Sequence, residues 1–328
     1  MKLSYLQYCI FCVLFFSLNT FSQETLPIYQ DYLSDNVYLI HPSAAGIGNA
    51  GKLRFTARQQ WSGIPDAPTL QTISLNSRFG EETNAAYGLI LFNDKNGYHS
   101  QKGIQGTYAY HLPLNDNGHY FEQLSFGLSF TFIQNQSDQT AFGNDDVAAI
   151  IQNTSYFNAD FGAAYHKGGF SSYFTVKNLL QTNKNNLNVL EPLDLKNFVF
   201  AAGYYYDNYY FLQLEPSFMV QLKESTGQTI ADFNIKMYKT FSTTQFWAAL
   251  SYRRSFDGAD GVNNFKFISP IIGLNYKKLM FSYTYTNQLD DIVLSNTGFH
   301  QIGLGINLWT REKNWRSTPN INNSFIGY

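Results

Sequence analysis

The chain has 328 residues and is nearly neutral, with 22 Lys and Arg residues against 24 Asp and Glu residues, so no excess of basic residues points to nucleic acid. Only 14% of the residues are charged, whereas 24 Tyr and 29 Phe make the sequence rich in aromatic side chains. After the first 22 residues no apolar run approaches the roughly 18 residues of a membrane-spanning helix, which favours a lipid-embedded β-barrel, with a soluble all-β enzyme as the alternative.

The first 22 residues have the features of a secretory signal peptide. Lys2 supplies a positive charge, Ile10 to Leu18 is almost entirely apolar, and Thr20-Phe21-Ser22 is a small-x-small cleavage site. We predict cleavage after Ser22 rather than a membrane anchor, because the apolar run is too short to span a bilayer. Cys9 and Cys12 both lie in this segment, so the predicted mature chain has no cysteine for disulfides, thiol catalysis or metal binding.

Residues 23–50 form the least regular part of the predicted mature chain. They show no sustained period and end in the small, Gly-rich stretch from Ser43 to Ala50. We predict an ordered N-terminal segment, either periplasmic or inside the barrel, and a flexible arm is the alternative that the composition leaves open.

From Gly51 onward, polar and apolar residues alternate in stretches long enough to cross a bilayer at a tilt, which takes about 9–11 residues. Phe157, Phe161 and Tyr165, for example, fall on one face, and Asn158 and Asp160 fall on the other. The fold class predicted is therefore an all-β, antiparallel outer-membrane barrel of about 14 strands over residues 51–309. The predicted strands are residues 51–61, 68–79, 84–93, 100–112, 121–134, 154–166, 169–179, 194–206, 209–222, 229–240, 243–255, 264–276, 278–287 and 298–309.

The predicted connections alternate between tight turns and longer polar loops. The tight ones include residues 166–169 and 276–278, and the longer ones include 134–153 and 178–193. Outer-membrane barrels have short periplasmic turns and longer extracellular loops, so this alternation predicts the orientation and leaves both termini in the periplasm. The tail, residues 310–328, is accordingly predicted to be periplasmic.

Catalytic and metal-binding motifs are not found in the sequence. The six histidines are scattered without metal-ligand spacing, and no nucleophile elbow, phosphate loop or dinucleotide fingerprint is present. Asp145-Asp146 and Asp290-Asp291 fall in predicted outer loops, where solvated turns are favoured over Ca²⁺ sites. We predict no enzyme activity, no cofactor and no metal.

A series of short motifs follows a fixed order along nearly all of the predicted mature chain. They are Pro42, Ala44-Ala45-Gly46, Arg58-Gln59-Gln60-Trp61-Ser62-Gly63, Ala67-Pro68-Thr69, Gly88, Phe92-Asn93-Asp94, Tyr108-Ala109-Tyr110-His111-Leu112, Asn178-Leu179-Leu180, Ala202-Gly203-Tyr204, Glu215-Pro216-Ser217, Ser251-Tyr252-Arg253, Gly298 and His300. In this order they resemble the PorP/SprF family of type IX secretion membrane proteins of Bacteroidetes. The sequence departs from the family pattern at His41, Ala45, Ile64 and Gln301, as in a divergent paralogue.

The resemblance implies a non-enzymatic outer-membrane barrel of the type IX secretion and gliding machinery of a Gram-negative bacterium. Its expected partner is a large secreted surface adhesin, engaged through a type IX C-terminal signal domain, together with membrane lipid and no nucleic acid. Two alternatives stay open. One is a structural link to periplasmic motor, gliding or peptidoglycan-associated components, and the other is a transporter of hydrophobic compounds or small solutes.

Eight residues are predicted as candidates for partner binding. Alternation places Arg54, Arg58 and Gln60 on one face, which we interpret as the lumen, where polar side chains pair with one another. Direct contact with a partner is the alternative for these residues. The full candidate set is Arg58, Gln60, Trp61, Pro65, Pro68, Asn93, Asp94 and Arg253.

Overall fold

A computed structural model of the chain describes short 3-10 helices, among them Val37–Leu39 and Pro42–Ala44, followed by a series of β-strands. No helix in the described part of the chain is long and apolar enough to cross a membrane. The described residues are 32–48, 50–60, 67–80, 83–116, 121–138, 151–180, 196–207, 212–224, 227–241, 243–256, 265–289 and 298–309. The strands are β1 Gly51–Gln60, β2 Thr69–Arg78, β3 Ala85–Asn96, β4 His99–Asp116, β5 Phe121–Asp138, β6 Ile151–Lys167, β7 Phe170–Lys177, β8 Asn197–Tyr204, β9 Tyr206–Asp207, β10 Gln213–Lys223, β11 Thr229–Phe241, β12 Thr244–Phe256, β13 Lys266–Tyr276, β14 Leu279–Gln288 and β15 Phe299–Leu308.

The strands close into an antiparallel barrel. Consecutive strands pair with each other, and β15 pairs with β1 along the whole of both strands, from Gly51 opposite Leu308 to Gln60 opposite Phe299. Because β8 and β9 both pair with β10, they form one interrupted strand, and the barrel has 14 strands. The predicted fold class is confirmed. Closure pairs neighbouring strands around the wall and so limits unpaired backbone groups in the bilayer, where they would be costly.

The two faces of the barrel differ in polarity, with apolar side chains outside and polar side chains inside. On β11, Phe233 and Ile235 point outward and are exposed, whereas Asp232 and Lys236 point inward and are buried. This is the reverse of a soluble protein, in which apolar side chains fill the core. The outward face is therefore the face that meets lipid, as the alternation predicts.

Several strands are longer than the sequence pattern indicates. β5 continues to Asp138 and β6 begins at Ile151, so the connection predicted at 134–153 spans only 139–150. β3 continues to Asn96 and meets β4 through the two-residue turn Gly97–Tyr98. The described side chains of these extensions are polar on both faces, because they lie beyond the apolar band, and alternation is lost there.

Two prolines interrupt the hydrogen-bonded ladder. Pro216 has no backbone N–H, and β10 makes no ladder pair with Tyr204 or Tyr205, which separates β8 from β9. Pro270 similarly interrupts the β13–β14 ladder, which resumes at Ile271. Both prolines point outward, and each still has a cross-strand partner on its other side.

Residues 32–48, which we call the plug, lie inside the barrel. They contact inward-facing side chains from strands all around the wall, including Ser74 on β2, Thr107 on β4, Thr175 on β7 and Asp232 on β11. Most of the plug side chains are buried. The chain then reaches β1 through Ala50, at the end of the barrel where the short turns lie.

Candidate functional site

The first part of the plug is held by buried charges on the wall. The carboxylate of Asp35 accepts hydrogen bonds from Arg54 Nη2 at 3.0 Å and from Lys52 Nζ at 3.3 Å. Burial raises the pKa of Asp35, but the nearby charges of Lys52 and Arg54 outweigh it, so the pKa is lowered and the carboxylate stays ionised at neutral pH. Lys236 Nζ donates to the carbonyl oxygen of Leu33 at 3.0 Å. These contacts tie the plug to β1 and β11.

Arg253 belongs to the same charged side of the lumen. Its Nε and Nη2 atoms donate to the two carboxylate oxygens of Asp232, each at 2.6 Å. The hydroxyl group of Tyr32 donates to the same carboxylate at 3.4 Å and accepts a hydrogen bond from Asn234. Through the Tyr32 contact, this buried bidentate pair lies against the start of the plug.

The opposite side of the plug rests on small residues of β3–β6. A Cβ atom added at Gly88 would lie 2.3 Å from the Tyr38 ring, and one added at Gly127 would lie 2.3 Å from the carbonyl carbon of Pro42. Gly162 approaches the same turn of the plug, with a Cβ distance of 3.1 Å. We call this surface the small-residue socket, and its members are Ala86, Gly88, Ala109, Gly127, Gly162 and Ala164.

Two buried histidines fix the middle and end of the plug. The ring of His41 stacks on Tyr173 at 4.9 Å, and its Nδ1 atom lies 2.8 Å from Thr175 Oγ1. Burial, with a smaller contribution from the charge of Lys177, lowers the pKa of His41 to about 3, so its ring is neutral at physiological pH. His111 Nε2 donates to the carbonyl oxygen of Ala45 at 2.8 Å. The described residues contain no group of three or more side chains suited to a metal ion.

A cavity of about 90 Å³ lies between part of the plug and the inward faces of β1, β2, β7, β8, β10 and β11. At about 10–15 Å³ for one water, this volume has room for several water molecules. Its lining includes Tyr173, Gly203, Glu215, Ser217 and Lys236. Packing between the plug and the wall is therefore incomplete at this cavity, although His41 contacts Tyr173 and Thr175 of β7 nearby.

The structure brings together only some of the residues predicted to bind a partner. Arg58, Gln60 and Asp94 face the lumen, and Arg58 and Asp94 both lie opposite Leu70 of β2 in one row across the sheet. Asn93 faces outward beside Lys102, and Pro68 accepts a backbone hydrogen bond from Gln60 at 2.9 Å. Arg253 lies on β12, away from this row. Trp61 and Pro65 are outside the described residues, as are the acidic pairs of the predicted outer loops.

The residues that seat the plug, above all Asp35, Tyr38 and Gly127, are not predicted from the sequence. The plug is neither helix nor strand over any length, so its polar and apolar residues do not alternate with a regular period. Its contacts with the wall therefore cannot be predicted from a sequence pattern. One signal was present, since glycine or alanine recurs at inward positions of β3–β6, and glycine within a strand marks a close backbone approach.

The chain is similar to one protein family and to several solved structures. The family described as type IX secretion system membrane protein PorP/SprF matches residues 21–306. A sequence search of curated proteins found no match. Among solved structures, BamA of Haemophilus ducreyi lacking POTRA domains 1–3 is 8% identical, with 79% of this chain and 70% of that chain covered and a TM-score of 0.43. The outer membrane protein Omp33 of Acinetobacter baumannii is 7% identical, with 80% and 99% covered and a TM-score of 0.41.

With TM-scores of 0.43 and 0.41, these structures are too dissimilar to this chain to indicate its function. The family match is of a different kind, because it covers most of the chain, including the plug and all the strands as far as Ile306. The match and the barrel both fit a place in the outer membrane. The chain belongs to the PorP/SprF family of type IX secretion system membrane proteins.

Proposed function

We propose that this barrel is a non-enzymatic accessory protein that assists the secretion, or the retention at the cell surface, of one large adhesin. In this proposal the barrel engages the type IX C-terminal signal domain of the adhesin at the end where the longer loops lie. Family membership supports a role in type IX secretion, and the barrel fold supports a role at the outer membrane.

The occupied lumen is the observation that carries the proposal. The plug crosses the barrel from Asp232 on β11 to Gly127 on β5 and contacts strands on every side. Its anchoring carboxylate, Asp35, and the two cations that bind it are buried. A barrel whose lumen holds its own chain is better suited to binding at its outer surface than to passing a solute through its centre.

The proposal is tested by purifying the tagged full-length protein from detergent-solubilised outer membranes and identifying the co-purifying proteins by mass spectrometry. We expect a very large secreted protein with a type IX C-terminal domain. The matched control is a strain in which that protein lacks only its C-terminal domain, and we expect co-purification to be lost there.

Other results would favour the alternatives. Periplasmic lipoproteins or motor components in the eluate, without secreted protein, would favour a structural link across the periplasm. Absence of any specific protein, together with solute uptake by liposomes that contain the barrel, would favour a transporter.

A further inference from the structure

One part of the barrel wall continues beyond the apolar band. On the outward face of β4–β6, the last row of large apolar side chains is Ile104, Phe132 and Phe157, all exposed. The next outward row toward the loops is polar, with Lys102, Gln134 and Ser155. The strand ends above this row are therefore outside the hydrocarbon layer and accessible from the water phase.

β6 carries an open edge in this extension. It pairs with β5 over its full length, from Ile151 to Lys167, but it pairs with β7 only from Phe161 onward. Among the described residues, no strand of the sheet lies beside Asn153, Ser155 or Phe157 on the side of β7.

Where β7 separates from β6, two side chains of β6 bind the backbone of the departing chain. Asn178 has a left-handed backbone with φ of 60°, and its N–H donates to Asp160 Oδ1 at 2.9 Å. The N–H of Leu180 donates to Asn158 Oδ1 at 3.2 Å, and that of Leu179 donates to the carbonyl oxygen of Ala159 at 2.8 Å. The Asn178-Leu179-Leu180 motif thus ends the β6–β7 ladder at a defined point.

Backbone geometry identifies the unpaired groups on the edge. The carbonyl of Ala159 points toward β7, because it accepts the hydrogen bond from Leu179. Peptide groups along an antiparallel strand alternate in direction with a period of two. The N–H and C=O groups of Asn153, Ser155 and Phe157 therefore point the same way as that carbonyl, away from β5. An exposed row of such groups is a template for another strand.

We propose that the edge formed by Asn153, Ser155 and Phe157 binds an extended segment of the secreted cargo by β-strand addition. The identity of this partner rests on the function proposed above. The segment would place an apolar side chain beside Phe157, which is 67% exposed, and polar side chains beside Ser155 and Asn153. Main-chain hydrogen bonds would hold it, and this row of side chains would set its register.

A second copy of the barrel does not fit this edge. Two copies in one membrane would be related by a two-fold axis along the membrane normal. Because barrel strands tilt by about 35–45°, the two β6 edges would cross at roughly twice that angle and could not form a ladder. A segment from a secreted protein has no such restriction on its orientation.

The test combines a photo-crosslinking amino acid at Asn153 with two substitutions of its neighbour. Ser155→Pro removes the N–H that points away from β5, so it blocks strand addition and leaves the β5–β6 ladder intact. Ser155→Val changes the side chain but keeps the N–H, and it is the matched control. Folding of each variant in cells is checked by the heat-dependent shift in gel migration that folded barrels show.

In the wild-type barrel and in Ser155→Val, we expect a crosslinked adduct with the secreted cargo. In Ser155→Pro we expect a loss of about tenfold or more, because several backbone hydrogen bonds of about 1 kcal/mol each would be absent. If Ser155→Pro does not fold, Asn153→Pro with the crosslinker at Ser155 gives the same comparison.

The proposal is overturned if the wild-type barrel forms no adduct at this edge, if the adduct is a second copy of this chain, or if the proline variant forms as much adduct as the valine variant. Cargo that still co-purifies with a folded Ser155→Pro barrel would refute the edge and leave the proposed function standing. Loss of all secreted protein from the wild-type eluate would instead refute the function.

Discussion

The two closely packed sides of the plug are held by different physical means. Toward β1 and β11 the contacts are ionic, with Asp35 between Lys52 and Arg54, and with Lys236 on a plug carbonyl. Toward β3–β6 they are steric, with the plug backbone against glycine and alanine in the small-residue socket. The first side neutralises buried charge, and the second depends mainly on shape, with single hydrogen bonds such as that from Tyr38 to Thr107.

The difference shows how a polar lumen can hold an irregular segment. A buried ion pair adds little net stability over an apolar pair, but removing one partner is costly, so the ionic side fixes where the plug starts. Close contact on the socket depends on the absence of side-chain atoms, so any added atom displaces the plug. The effects of substitutions on the two sides should therefore differ in magnitude and in physical cause.

The largest effect is expected on the ionic side. Asp35→Asn leaves Lys52 and Arg54 buried without their carboxylate and should lower the free energy of unfolding by about 3–5 kcal/mol. Urea unfolding of the purified barrel in detergent measures this change. The control is Glu224→Gln, at an exposed position after β10, where we expect a change within about 0.5 kcal/mol. A similar loss for the two variants would mean that the ionic side does not anchor the plug.

An intermediate effect is expected in the small-residue socket. Gly127→Val places atoms within the plug backbone and should cost about 1–3 kcal/mol. The matched control is Gly106→Val on β4, where nothing lies within 4 Å of the added Cβ position. Plug position is read from maleimide labelling of Ser43→Cys, because Ser43 is fully buried and both native cysteines precede the predicted cleavage site. Labelling should rise for Gly127→Val alone, and equal labelling of the two valine variants would refute the socket.

The same contrast explains what the sequence could and could not predict. The strands were predictable because lipid imposes a period of two, as in Phe233 and Ile235 against Asp232 and Lys236. Beyond the lipid-facing part of the wall, the alternation with a period of two is lost. The sequence pattern therefore predicts that β5 ends earlier, and that β6 begins later, than the structure shows. The plug contacts of Asp35 and Tyr38 join positions far apart in the chain, and no local pattern records them. Arg253 was selected as a partner contact, and its pairing with Asp232 is visible only in the register of β11 against β12.

The smallest effect is expected for a single hydrogen bond at the boundary between the plug and the socket. The hydroxyl group of Tyr38 donates to Thr107 Oγ1 at 2.8 Å, and Thr107 also bonds Ser129 at 2.7 Å. Tyr38→Phe removes one donor but leaves the ring against Gly88 and leaves Thr107 with a partner, so the loss should be about 0.5–1.5 kcal/mol. Tyr108→Phe, at an outward-facing position, is the control and should change stability little. Urea unfolding measures both variants. A loss for Tyr38→Phe as large as that for Gly127→Val would mean that hydrogen bonding, rather than shape, holds this side, and the contrast between the two sides would fail.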